Sequence, residues 1–170
     1  MTLTKNILRV NGYDFNLDVM TSFEGDTGPY LQYAHARLCS MARKSGLKVE
    51  ELNGDNVNLH LLTEPHAVEV VRLLAQWPDV VINTMKTLEP ATVLTYLFRM
   101  THGLSSSYDV LKVLGSEPDV AKARMALYEA ARQVLHNGMR LLGLNPVTRY
   151  VLLFPFLFLY CLYIPPLPMV

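Results

Sequence analysis

Apolar side chains recur at helical spacing along most of the chain. Residues 30–44 contain no helix breaker, and the apolar positions Leu31, Ala34 and Leu38 lie three and four residues apart. Positions with this spacing share one face of a helix, which can be buried. We predict a helix that begins near Pro29, because proline is accommodated in a first turn, and that ends at Gly46.

The middle of the chain repeats this pattern three times. After Thr63-Glu64-Pro65 we predict a helix that uses Thr63 as a cap and stops before Pro78. Two further helices are predicted from Pro78 to Thr87 and from Pro90 to about Ser105. The first of the three has an apolar stripe with a period near 3.6, which we expect to be buried: Val68, Val71, Leu74 and Ala75.

The last predicted helix runs from Asp119 to Leu142 and is followed by Gly143, where a C-terminal cap is expected. Its far face is charged. Gly138 lies inside this helix at a cost of about 1 kcal/mol relative to alanine, so we expect close packing against a neighbour there. The apolar positions that we expect to face the core are Val120, Ala123, Leu127, Ala130, Val134 and Leu141.

These segments predict an all-α helical bundle. A short extended or hairpin-like lead-in is expected around Asn11-Gly12, between Ile7 and Phe15. Residues 45–62 are polar and predict a surface loop. Beyond Arg149 the chain becomes almost wholly apolar, but as a helix the run to residue 164 would rise roughly 22 Å, short of a hydrocarbon core of about 30 Å, and Pro155 interrupts it. We therefore predict no membrane-spanning segment.

Composition narrows the classes of function. At 170 residues and 51% apolar residues, one helical domain with its own core is expected. Fifteen basic residues balance fifteen acidic ones, so any contact with RNA must be local, and general binding to DNA is not expected. Cys39 and Cys161 form no metal-binding pair, and the N-terminus resembles neither a secretory signal nor a transit peptide, so a reducing, cytoplasmic location is expected.

Catalytic and metal sites find little support. Glu24 and Asp26 have the residue types of an acid and base pair, but no nucleophile or ligand set accompanies them, and the surrounding turn favours capping. None of the histidines shows the spacing of a metal site; they are His35, His60, His66, His102 and His136. We assign no catalytic residue and no metal ligand.

Three blocks of sequence resemble one protein family. Residues 20–37, MTSFEGDTGPYLQYAHAR, resemble the junction in arginyl-tRNA synthetases where the class I catalytic domain passes into the anticodon-binding helices. The segments 94–102, LTYLFRMTH, and 105–113, SSSYDVLKV, resemble the middle of that helical domain in cytoplasmic, notably fungal, members. Residues 123–144, ARMALYEAARQVLHNGMRLLGL, are similar to the final helix of the family. In place of the family's usual ending, residues 146–150, PVTRY, run into the apolar tail.

This resemblance implies a DALR-type helical domain that binds the anticodon stem and loop of an arginine tRNA. It implies three parts: residues 1–22 as a remnant of the catalytic-domain junction, 23–149 as the anticodon-binding domain, and 150–170 as a tail outside the family pattern. ATP, with Mg, belongs to a separate catalytic domain of the same synthetase. HIGH-like and KMSKS-like motifs do not occur in this sequence. We therefore expect a fragment that uses no cofactor itself and forms no adenylate alone.

The candidate tRNA-binding residues combine spacing with the resemblance. Tyr30, Tyr33 and Arg37 lie three and four residues apart, which places two rings and a guanidinium on one helix face. Spacing alone favours core packing for the two tyrosines, whereas the resemblance favours tRNA binding. Tyr108 lies in a polar setting that favours exposure, and the resemblance places it in the anticodon pocket. Lys112, one turn further on, is either a phosphate contact or simply solvated.

A second class of function remains open from the sequence. The chain could be a helical adaptor whose apolar tail docks a partner protein or a membrane surface.

Overall fold

The computed structural model describes residues 25–52 and 56–149. This part of the chain contains five α-helices: α1 (Gly28–Ser45), α2 (Pro65–Ala75), α3 (Trp77–Thr87), α4 (Ala91–Ser107) and α5 (Pro118–Leu141). Two short 3-10 helices, Val49–Leu52 and Leu59–Leu61, lie between α1 and α2, and no strand occurs within the described ranges. The prediction of an all-α bundle is confirmed.

The helix ends follow from prolines and glycines. Helices α1, α2, α3 and α5 each have a proline in the first two positions, where its missing N–H leaves no hydrogen bond unmade. Gly46 ends α1 in the left-handed region, with φ 70°. Gly143 has φ 76° and its N–H donates to the Arg140 carbonyl at 3.0 Å, while the Leu144 N–H donates to the Met139 carbonyl at 2.9 Å. These two bonds form a Schellman cap, as glycine at this position predicts.

Thr63 does not cap α2, so that prediction is wrong. The residue that precedes the helix is Glu64, and its side chain makes no capping bond. Its carboxylate instead accepts a hydrogen bond from Arg124 on α5, at 2.5 Å. The Glu64 side chain is therefore engaged in an ion pair with a distant helix and does not cap its own helix.

Helices α4 and α5 form the centre of the bundle. Helix α1 packs along α5 and touches α4, α2 packs against both α4 and α5, and α3 packs on α4. A Cβ added at Gly138 in α5 would lie 2.6 Å from Cδ2 of Leu97 in α4. The predicted close packing at Gly138 is therefore confirmed, because the glycine lets α4 and α5 approach each other.

The apolar stripe predicted for α2 lies on the wrong face. The buried residues of this helix are Ala67, Val70 and Leu73, whereas Val71 is 45% exposed and Ala75 is exposed. The helix is apolar on both faces, so periodicity alone cannot choose between them. The second face lines an apolar surface groove of about 490 Å³ with residues Leu52, Val57, Leu59, Leu62, Val68, Val71, Leu74, Ala126, Leu127 and Ala130.

The stripe predicted for α5 is correct in part. Ala123 and Leu127 are buried, but Ala130 is exposed and Leu141 is 61% exposed. Helix α5 contacts α1, α2 and α4, so its buried surface is wider than one stripe. It includes Met125, Tyr128, Glu129, Ala131, Leu135, Gly138 and Met139.

Several predictions fall outside the described residues. They are the lead-in between Ile7 and Phe15, the junction remnant 1–22, the turn at residues 53–55 and the tail 150–170, on which the adaptor hypothesis rests. The described part of the predicted 45–62 loop is not wholly on the surface, because Val57 is buried. Among the described helices, none has the length and apolar character that a membrane crossing requires.

Candidate nucleic-acid interface

A pocket of about 290 Å³ opens between α1 and the loop that follows α4. Its lining residues are Arg37, Met41, Lys44, Tyr108, Leu111, Lys112, Val113 and Leu114. Three of these are cations and none is acidic, so the pocket is locally positive although the chain as a whole carries no net charge. The ring of Tyr108 and four apolar side chains supply the rest of its walls.

Tyr108 lies at the point where the pocket meets the bundle. It follows the last residue of α4, and its ring centre lies 5.6 Å from that of Tyr128 on α5. The Arg37 guanidinium carbon lies 4.0 Å from the Tyr108 ring centre. Burial raises the pKa of Tyr108 well above its ordinary value, and its hydroxyl has no hydrogen-bond partner among the described residues.

The expectation that Tyr108 is exposed is therefore wrong. The residue is half-buried and its hydroxyl is buried. Its sequence neighbours are polar, but Tyr128 and Arg37 approach from two other helices and cover the ring. The exposed group at this part of the pocket is the Arg37 side chain, which lies over the Tyr108 ring.

Tyr30 and Tyr33 differ in their surroundings although both lie on α1. Tyr33 is 46% exposed. Tyr30 is half-buried against α4, where its hydroxyl lies 3.2 Å from Ser105 Oγ and 3.5 Å from His102 Nδ1. Both tyrosines lie close enough to Tyr108 to add to the rise in its pKa, which burial mainly causes. The structure thus gathers these three tyrosines into one region.

Lys112 lies on the loop after α4 and not on a continuing helix turn, because α4 ends at Ser107. Its side chain is exposed and lines the pocket. Arg124 of α5 fixes this loop by donating to the Lys112 carbonyl at 2.7 Å and to Ser116 Oγ at 2.9 Å. The same guanidinium holds Glu64, whose pKa it lowers chiefly by that hydrogen bond. Of the five predicted residues, Arg37, Tyr108 and Lys112 therefore line one pocket, while Tyr30 and Tyr33 lie on the same helix as Arg37 but outside its lining.

Two residues next to this site have a role that the sequence did not indicate. Nε2 of His102 donates to Oδ1 of Asp26 at 2.7 Å, so the carboxylate of Asp26 does not act as the cap that we expected. The partners are 76 residues apart, and no local pattern connects them. Arg124 was missed for the same reason, because its contacts depend on how α5 packs.

Two further observations concern metal binding and the reactivity of Cys39. Among the described residues, no three His, Cys, Asp or Glu side chains are grouped to hold a metal ion. Cys39 is buried, and burial raises the pKa of its thiol, so the reactive thiolate is disfavoured.

The fold and the site together define an all-α domain with a cationic pocket that has an aromatic wall. Residues 31–149 match the DALR anticodon binding domain, and the chain belongs to that family. It is 58% identical over 142 residues to the cytoplasmic arginine–tRNA ligase of Saccharomyces cerevisiae, covering 83% of this chain and 23% of that relative. It is 56% identical over 141 residues to the probable cytoplasmic arginine–tRNA ligase of Schizosaccharomyces pombe, covering 83% and 22%.

A solved structure agrees with these relatives. The arginyl-tRNA synthetase of Plasmodium falciparum superposes with a TM-score of 0.73 at 27% sequence identity, covering 85% of this chain and 25% of that one. The chain thus spans 22–25% of the length of the proteins that it matches.

Proposed function

We propose that this chain binds the anticodon stem and loop of an arginine tRNA, as the anticodon-binding part of an arginine–tRNA ligase. The observation that carries the proposal is the pocket in which Arg37 lies over Tyr108 and is accompanied by Lys44 and Lys112. It lies within the residues that match the anticodon-binding family.

The site has the groups that recognition of an RNA loop requires. Unpaired bases are bound by stacking on aromatic rings or on guanidinium planes. Tyr33 and Arg37 are exposed on one face of α1 and offer one of each. Lys44 and Lys112 lie at the pocket and can meet phosphates, which position the RNA without reading its sequence. Local charge therefore suffices in a chain with no net charge.

Tyr108 and Tyr30 are less exposed than Tyr33 and Arg37, and each contacts a neighbouring helix. The half-buried ring of Tyr108 holds Arg37 by a cation–π contact. Tyr30 packs its hydroxyl end against α4, where it lies 3.2 Å from Ser105 Oγ. Their substitution is therefore expected to weaken RNA binding through loss of shape as well as through loss of stacking.

The remaining functions of the synthetase are proposed for parts beyond this chain. A catalytic domain of the same enzyme is the protein partner, and it uses ATP with Mg to attach arginine to the tRNA. The cytoplasm is the proposed location, supported by the names of the two fungal relatives. We expect no ATP–pyrophosphate exchange from this chain alone, and exchange by the purified chain would contradict that expectation.

The binding proposal is tested with labelled RNA hairpins and the full 170-residue chain. One hairpin carries the anticodon stem and loop of an arginine tRNA, and the control hairpin has the same stem with an unrelated anticodon. We expect preferential binding of the arginine hairpin, and loss of that preference when Tyr30, Tyr33 and Tyr108 are all changed to alanine. Equal affinity for the two hairpins would refute the proposed function, and full binding by the triple variant would refute the site.

A further inference from the structure

We propose that His102 and Asp26 are positioning residues for Tyr30, and that RNA binding depends on this pair although neither side chain needs to touch the RNA. The inference rests on the proposed function. It concerns a contact between the turn that precedes α1 and the exposed side of α4, which are distant in sequence.

The hydrogen bonds that join Tyr30, His102 and Asp26 can each have one donor and one acceptor in a single protonation pattern. A carboxylate can only accept, so Nε2 of His102 carries the proton that Asp26 Oδ1 receives at 2.7 Å. In the neutral ring Nδ1 is then an acceptor, and it faces the Tyr30 hydroxyl at 3.5 Å. Asp26 thereby fixes the tautomer of His102 that can accept from Tyr30.

Tyr30 contacts His102 through its ring as well as through its hydroxyl. The ring centres of Tyr30 and His102 lie 5.5 Å apart with an interplanar angle of 34°. Ser105, one turn further along α4, lies 3.2 Å from the Tyr30 hydroxyl. Since the histidine ring packs on the tyrosine, a His102 that is free to rotate would release the ring of Tyr30.

The exposure of His102 and Asp26 indicates that their contact affects RNA binding more than it affects folding stability. The side chains of His102 and Asp26 are 58% and 52% exposed, and ion pairs with this exposure contribute little to folding. The same contact can still matter for binding, because a ring that is already held in place loses less rotational freedom when RNA docks. The proposal therefore predicts a loss of RNA affinity without a loss of stability.

The experiment compares removal with conservative replacement. His102→Ala and Asp26→Ala should each weaken binding of the arginine anticodon hairpin by about 2- to 12-fold, the range expected for one side chain that must be immobilised on binding. His102→Gln and Asp26→Asn keep a donor and an acceptor, so their affinities should return towards that of the unchanged chain. Urea midpoints should be the same for all four variants, and exposed His60 supplies the control variant His60→Ala.

A double-variant cycle gives the second readout. If His102 acts through Tyr30, then Tyr30→Ala combined with His102→Ala should bind no more weakly than Tyr30→Ala alone. Additive losses, or normal affinity in His102→Ala, would overturn the inference.

Tyr33→Ala distinguishes a failure of the positioning role of His102 from a failure of the proposed RNA binding. If this variant loses affinity while His102→Ala does not, the positioning role is wrong and the proposed function stands. If the unchanged chain does not prefer the arginine hairpin, both are overturned.

Discussion

The guanidinium of Arg37 lies over the ring of Tyr108, with its central carbon 4.0 Å from the ring centre. One residue belongs to α1 and the other closes α4, so the contact joins two helices in the wall of the pocket. A cation in this position contributes about 0.5–2 kcal/mol, depending on its exposure to water. The contact makes Tyr108 a support for Arg37. Substitution of Tyr108 should therefore affect both the stability of the bundle and the binding of RNA.

Tyr108→Phe and Tyr108→Ala should differ sharply. The hydroxyl is buried and has no hydrogen-bond partner in the described part of the chain, so its removal should leave the free energy of unfolding unchanged or slightly increased. Removal of the ring should cost about 3 kcal/mol and should weaken hairpin binding, because Arg37 loses its support. Urea unfolding and hairpin titration measure both effects. Equal destabilisation by the two variants would contradict the arrangement described.

The two lysines of the pocket should determine how binding responds to salt. If Lys44 and Lys112 each neutralise one phosphate, log Kobs should fall with log salt concentration with a slope of about −1.4, at about 0.7 per phosphate of single-stranded RNA. Lys44→Gln and Lys112→Gln should each reduce the slope by about 0.7. Lys86→Gln is the matched control, since Lys86 is exposed on α3 and does not line the pocket. A variant with an unchanged slope would exclude its lysine from phosphate contact.

Arg124→Met should lower both stability and RNA affinity. The substitution removes charge-assisted bonds to Glu64 and to the Lys112 carbonyl, and we expect a loss of about 2 kcal/mol together with a loosened pocket loop. Arg72→Met is the control, because Arg72 and Glu69 are 4.0 Å apart with side chains 72% and 57% exposed. Urea unfolding and hairpin titration again provide the measurements. Similar effects of the two substitutions would show that Arg124 does not hold the loop.

His35 should make the bundle sensitive to mild acid. Its Nδ1 donates to the Val147 carbonyl at 2.8 Å, its ring centre lies 5.6 Å from that of His136, and Nε2 has no partner among the described residues. Burial lowers the pKa of His35 below its ordinary 6.5, against the Val147 hydrogen bond, which raises it; Arg132 and His136 lower it further. The folded state therefore favours the neutral ring.

The sign of this effect follows from the lowered pKa. The contribution of His35 is fully present above pH 6.5, the value for the unfolded chain, and is lost as the pH falls through the folded value. We expect the urea midpoint to fall between pH 7.5 and 5.5, and to fall less in His35→Gln than in the unchanged chain. His60→Gln, an exposed histidine, should keep the full decrease. Equal decreases in all three proteins would rule out His35 as the cause.

The helices could be predicted largely from the sequence because their boundaries depend on near neighbours. Pro29 and Gly46 set the limits of α1 through the missing N–H of one residue and the left-handed φ of the other. The buried face of α2 could not be predicted, because Val70 and Val71 are equally apolar and only the position of α4 and α5 decides which is covered.

In the candidate site, too, the sequence predicted some features and others depended on helix packing. The resemblance to arginyl-tRNA synthetases identified Tyr30, Tyr33, Arg37, Tyr108 and Lys112. The structure places Arg37, Tyr108 and Lys112 in one pocket, while the part of all five in RNA binding stays a prediction. Neither the resemblance nor the spacing indicated that Asp26 and His102 contact each other, because 76 residues separate them.

By itself, the sequence determined the all-α bundle of the described residues, most of its helix boundaries, the neutral net charge of the chain and its family. Each depends on residue type, on spacing within one or two turns or on the order of motifs, which are properties of the chain before it folds. Only the tertiary structure decided that Arg37 covers Tyr108, that Arg124 holds the Lys112 loop and that His102 joins Asp26 to Tyr30. The physical reason is that side-chain contacts act over a few ångströms, and distant residues come that close only when α1, α4 and α5 pack together.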